Sequence, residues 1–214
     1  MFVLRYILPI LLLMAISCNK EHQPTNLEKA NDLIQGQYYC VSMYYLGDPI
    51  DLDNDGICNN DLKAEFSSFY AAKKAFEKSN VSRVFPARGY NDETTFSLMI
   101  PAQAVIYYKL EDIYEAPLSG AANFHLSFSY TVQNDGSISF KARNDLEQSW
   151  RDNWEDERRF QNIDVFYTNA DCVESFNKGT LVVRINGTYY DFNTKRLVTG
   201  PVKLTYERLS SAMY

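Results

Sequence analysis

The chain has 214 residues, enough for one sizeable domain, and 21 Lys and Arg stand against 27 Asp and Glu for a formal charge of −6. That balance excludes the basic footprint of a nucleic-acid binder. A hydrophobic share of 46% excludes a disordered chain, and 16 Tyr with 13 Phe favour strands over helices.

Met1 to Ser17 reads as a secretory signal. Arg5 supplies the positive charge, and Ile7 to Met14 is an apolar run interrupted by Pro9. The run is shorter than the roughly 20 apolar residues that a permanent bilayer-spanning helix needs. Ala15-Ile16-Ser17-Cys18 resembles the lipobox of bacterial lipoproteins. The resemblance implies cleavage before Cys18 and a lipid on Cys18 that ties the chain to a membrane. It also implies a place in the cell envelope, and a residue such as Asn19 after the lipidated Cys permits transfer to the outer membrane. Which face of that membrane stays open. Residues 18–35 then comprise the lipidated Cys and a polar, flexible tether (Asn19 to Ala30 reads NKEHQPTNLEKA), with residues 36–214 as a single β domain.

Tyr38 to Leu46 (YYCVSMYYL) is a strand by composition. Gly47 to Asp61, rich in Asp, Asn and Gly, is a loop. Leu62, Phe66, Phe69, Tyr70 and Phe76 recur at helical spacing, which predicts an amphipathic helix over Leu62 to Lys78, capped by Asn60 or Asp61. Strands are expected at Thr94 to Ile100, Ala104 to Leu110, Phe124 to Gln133, Ser137 to Arg143 and Gln161 to Tyr167. Thr180 to Ile185, Thr188 to Phe192 and Arg196 to Arg208 complete the set. Phe124, Leu126, Phe128 and Tyr130 alternate with polar residues, so one face meets a core and the other water. Asn134-Asp135-Gly136 and Asn186-Gly187 are expected hairpin turns. Asp145 to Arg159 reads either as a short helix or as a long hairpin arm. The doublets Tyr38-Tyr39, Tyr44-Tyr45, Tyr107-Tyr108 and Tyr189-Tyr190 each put one ring on each face of a strand. The pattern is mainly β: antiparallel strands in a meander, closing into a barrel or sandwich, with one helix near the N-terminus.

The sharpest motif is Asp51-Leu52-Asp53-Asn54-Asp55-Gly56. Asp at alternate positions followed by Gly matches the first half of a calcium loop. Alternate side chains in a tight loop converge on one centre, where Ca²⁺ offsets their mutual repulsion. The Ile57 carbonyl could add a further ligand. The twelfth position, which in an EF-hand is a bidentate Glu, is Leu62; Asp61 falls one residue early and Glu65 three late. A complete EF-hand is therefore not expected. A shortened, structural calcium site of Asp51, Asp53, Asp55, Ile57, Asp61 and Glu65 stands beside the alternative of a solvated Asx turn.

Gly36 to Phe66 resembles the opening of lipocalin-like lipoproteins of anaerobic Gram-negative bacteria, through Ile50, Asp51, Leu52, Asp53, Asp55, Gly56, Leu62 and Glu65. The resemblance implies an up-and-down, lipocalin-like barrel or half-open barrel, an unassigned ligand and no catalytic residue.

Cys40, Cys58 and Cys172 remain after lipidation. In an oxidising compartment one disulfide is expected among three possible single bridges; Cys58 with Cys172 is favoured because both sit in polar, loop-like stretches, and free buried cysteines are the alternative. There is no Gly-x-Ser-x-Gly, no phosphate-binding Gly loop and no His-Glu-x-x-His. His22 falls in the tether and His125 on the polar face of a strand. The expected function is a lipid-anchored module binding a small apolar ligand or a glycan, inside a cavity lined by residues such as Phe124, Leu126 and Phe128. A structural or adhesive surface lipoprotein and a glycan hydrolase are the alternatives.

Overall fold

The computed structural model describes residues 22–108, 111, 113–117, 121–142, 163–164, 173–177 and 179–210. The signal segment, Cys18, Cys172 and residues 145–159 lie outside the described residues.

Part of the expected tether is a helix, α1 (Asn26–Ile34). Thr25 caps it: its hydroxyl accepts the Glu28 amide, and the Glu28 carboxylate accepts the Thr25 amide at 2.7 Å. These reciprocal bonds satisfy two otherwise orphaned donors. Ala30 and Ile34 are buried, and Leu27 packs against the same core. Arg208, far along the chain, donates to the carbonyls of Asp32 and Leu33 at 2.7 and 2.9 Å and so closes the helix C-terminus. A polar sequence with a narrow apolar stripe was enough for a docked helix.

β1 (Gly36–Tyr45) pairs on one side with β2 (Ser82–Val84). A second sheet holds β3 (Thr94–Gln103), and β4 (Ile106–Tyr108) and β5 (Ile113–Glu115) form a separate ribbon. β3 pairs with β6 (Ala121–Val132), which pairs with β7 (Ile138–Ala142). The first sheet is completed by β8 (Ile163–Asp164), β9 (Val173–Asn177), β10 (Thr180–Asp191) and β11 (Arg196–Ser210). Its order is β2-β1-β11-β10-β8, with β9 also on β10. Every pairing among the described strands is antiparallel. The mainly β, antiparallel class is therefore as expected, but the described strands do not close into a barrel. Among the described residues no helix is long and apolar enough to cross a membrane.

The two sheets are joined at Met99 on β3. The hydroxyl of fully buried Tyr206 on β11 donates to the Met99 carbonyl at 2.8 Å, and the Met99 amide donates to Ser82 on β2 at 2.9 Å. Leu126 and Phe128, two of the residues expected to line a cavity, are buried among other side chains, and the side chain of Phe124 lies outside the described ones. Phe128 stacks on Phe96 at 5.5 Å, and Phe140 and Tyr130 surround the pair. Both residues belong to the side-chain core, where edge and offset contacts add to area burial. Three of the tyrosine doublets behave as expected, with Tyr38, Tyr45 and Tyr189 buried and Tyr39, Tyr44 and Tyr190 turned outward.

Two local expectations are corrected. The helix over Leu62 to Lys78 is broken into α2 (Leu62–Glu65) and 3-10 turns at Phe66–Ser68 and Ala72–Phe76. The Ser68 hydroxyl donates to the Glu65 carbonyl, offering the backbone an alternative to the helical ladder, and Phe69 turns extended. Tyr70, expected on the apolar face, is 71% exposed. Asn186-Gly187 is no turn, because β10 runs straight through it with Gly187 opposite Gly200. The turn lies at Phe192 to Lys195, where Asp191 accepts the amides of Asn193 and Thr194.

Gly187 is small for a packing reason. A Cβ there would stand 2.5 Å from the Tyr189 ring and hydroxyl, and Tyr189 is wholly buried with no room to retreat. Gly187→Ala should lower the melting temperature by roughly 3–10 °C, the cost of overpacking a filled core. A calorimetric scan reads this directly, and an unchanged transition would mean that Tyr189 has space to move.

Candidate metal centre

The Asp-rich loop starts as a short antiparallel arm. Ile50 and Asn59 exchange backbone hydrogen bonds of 3.1 and 2.9 Å, and the Asn60 amide group donates to the carbonyls of Tyr45 and Gly47. Between them the chain reverses with Asn54 and Gly56 at positive φ, 61° and 83°, conformations that Asn and Gly tolerate best. The Asp51 carboxylate accepts the Asn54 amide at 2.7 Å and the Gly56 amide at 3.1 Å, which shapes the reversal. Leu52 is fully buried beneath it.

The loop is anchored from outside by two residues that the sequence reading missed. Buried Asp191 accepts the Asp51 amide at 3.0 Å, while the Phe192 amide donates to the Asp51 carbonyl at 2.9 Å. The β10–β11 turn thus holds both sides of Asp51. Gln103, at the end of β3 and wholly buried, donates to the carbonyls of Leu52 and Tyr190 and accepts the Tyr190 amide at 2.7 Å. The only hint of either was a polar residue beside an apolar run.

Within this frame the carboxylates of Asp51, Asp53 and Glu65 come together, each offering an oxygen within 4.8 Å of the others. Asp51 and Glu65 are 2% and 5% exposed, so two of the three charges sit out of water. The Glu65 carboxylate accepts the Leu52 amide at 2.7 Å. Burial, and then repulsion from Asp53, Asp51 and Asp55, pushes Glu65 up to about 7 against that hydrogen bond. Among the described residues no Lys, Arg or His forms an ion pair with any of the three. Such a cluster can hold a metal ion, which would supply the missing positive charge.

The other two expected carboxylates, Asp55 and Asp61, are not in the cluster. Asp61 caps α2, accepting the Lys63 amide at 3.0 Å. Asp55 turns its carboxylate to the Ile57 amide at 2.7 Å. Glu65 enters because one helical turn after Asp61 carries its side chain back over the loop. Cys58 is a free, half-buried thiol, and the partner expected for it, Cys172, lies outside the described residues.

No protein-family model, curated protein or solved structure matches the chain.

Proposed function

We propose that this chain is a lipid-anchored lipoprotein of the cell envelope, a lipocalin-like β module that binds a small ligand or glycan and is stapled by Ca²⁺ at its Asp-rich loop. The observation that carries the calcium reading is the convergence of Asp51, Asp53 and Glu65 without a cationic partner among the described residues. All three donors are hard carboxylate oxygens, which suits Ca²⁺ rather than a metal that seeks thiolate or imidazole. The role is structural: the loop links the end of β1, α2 and the β10–β11 turn. The anchor is supported by Ala15-Ile16-Ser17-Cys18, with the lipid on Cys18.

The binding role is supported by a groove of about 450 Å³ between β2 and the outer side of β3 and β6. That volume falls in the range of small-molecule sites. The groove opens to water on the side away from Leu126 and Phe128.

Adding Ca²⁺ to the metal-free protein should raise its melting temperature by roughly 5–10 °C at about a hundredfold excess over Kd. Asp53→Ala should abolish the gain. A wild-type curve that ignores Ca²⁺ would reduce the loop to an Asx turn. In expressing cells, blocking the lipoprotein signal peptidase should leave an unprocessed precursor, and mass spectrometry of native protein should reveal its ligand.

A further inference from the structure

We infer that the groove at the seam of the two sheets is a subsite for a carboxylated sugar, a reading that rests on the binding-module function proposed above. Its floor is buried Ser82, and Phe96, whose ring stacks on Phe128 in the core, lines it from between Thr95 and Ser97 on β3. Its wall is a ladder of hydroxyls. Ser97 faces Ser127 across β3 and β6, their oxygens 3.3 Å apart, with Thr95 and His125 on neighbouring rungs. Its rim is Arg83 and Phe85.

Arg83 stands exposed between buried Ser82 and Val84, so its side chain points away from the core. It has no hydrogen bond or ion pair among the described residues, although the chain is acidic. Phe85 is 51% exposed, yet its backbone is pinned: its carbonyl accepts the Tyr130 hydroxyl, and Pro86 follows. An aromatic ring on a fixed backbone presents its face at small entropic cost.

These groups select among ligands. An apolar molecule would bury the Arg83 guanidinium and the Thr95 hydroxyl without partners, which is unfavourable. A long polyanion would meet one free arginine here on a chain of net charge −6. A sugar acid matches each element. Its carboxylate suits the forked donors of Arg83, its hydroxyls suit Thr95, Ser97 and Ser127, and the C–H face of its ring stacks on Phe85.

The test is titration of the full ¹⁵N-labelled chain with digalacturonic acid and, separately, with the neutral disaccharide digalactose. The acid should shift amides of β2, β3 and β6 around the groove and bind more tightly than the neutral sugar. Arg83→Gln should weaken the acid at least tenfold and leave digalactose within twofold, while Phe85→Ala should weaken both. Both variants should melt with the wild type, since neither side chain is in the core. Equal affinity of wild type and Arg83→Gln for the acid would overturn the proposal. Shifts confined to another face would overturn the groove and leave the binding module standing. If neither sugar shifts any amide, the sugar-acid proposal falls, and a non-sugar ligand recovered with native protein would still uphold the module.

Discussion

Gln103→Leu should cost about 3–5 kcal/mol and lower the melting temperature by roughly 8–15 °C. Leucine nearly fills the same volume, so the loss is one of hydrogen bonding rather than packing. Gln103 is wholly buried, donates to the carbonyls of Leu52 and Tyr190 at 3.2 and 3.1 Å, and accepts the Tyr190 amide at 2.7 Å. Removing it strands three backbone groups away from water, each costing about 1–3 kcal/mol. The damage should also reach the metal centre. Leu52 lies between Asp51 and Asp53, and its amide is the donor that holds Glu65. The variant should therefore lose part of its Ca²⁺-dependent stabilisation as well as its baseline. Scanning calorimetry with and without Ca²⁺ separates the two losses. A baseline loss below about 1 kcal/mol would mean that the stranded groups find other partners.

How much of this was legible in the sequence follows from which signals are local. Alternation along Phe124 to Tyr130 is local, and the strand lies where expected. The turn at Asn134 to Gly136 is local too, with Gly136 at a φ of 87°. Asp61, one of the two caps expected, caps α2. What failed depended on distant partners. Gly187 looked like a turn residue because Asn-Gly usually is one, but its smallness serves the ring of Tyr189 packed over it. The periodicity over Leu62 to Phe76 was real, and Leu62, Phe66, Phe69 and Ala72 are buried. The spacing did not reveal that Ser68 would interrupt the helix between them. The helix at Asn26–Ile34 was hidden by its polarity, and its closing partner Arg208 lies on the last strand.

The metal centre shows the same division. Asp51, Asp53 and Glu65 were all among the six residues read from the motif, since Asp at alternate positions is a local pattern. The motif could not rank Asp61 against Glu65. That choice is made by chain geometry: Asp61 is consumed as a cap, which starts the helix and swings Glu65 over Leu52. Nor could it reveal Asp191 and Gln103, whose contact with the loop requires the sheets to be assembled.

Metal-free Glu65→Gln should be more stable than metal-free wild type at pH 8, by on the order of 2 kcal/mol or roughly 4–8 °C. The sign follows from proton binding. Glu65 is raised from an ordinary value of 4.5 to about 7 in the folded chain, chiefly by burial and then by its acidic neighbours. Between those values the folded state holds a proton that the unfolded state has released. Its stability therefore falls as pH climbs from about 4.5 through about 7, by the linkage between proton uptake and unfolding. Glutamine keeps an oxygen for the Leu52 amide and carries no charge, so the variant's stability should stay flat across this window. Calcium should act in the opposite sense on the wild type. It needs the ionised carboxylate, so its stabilisation should be small near pH 5, complete near pH 8, and absent from the variant at both. Thermal melts at a series of pH values, with chelator and with Ca²⁺, give all four curves. A wild type that is flat without metal, beside a variant less stable at pH 8, would mean that the charge on Glu65 is already compensated and that the cluster has no need of an ion.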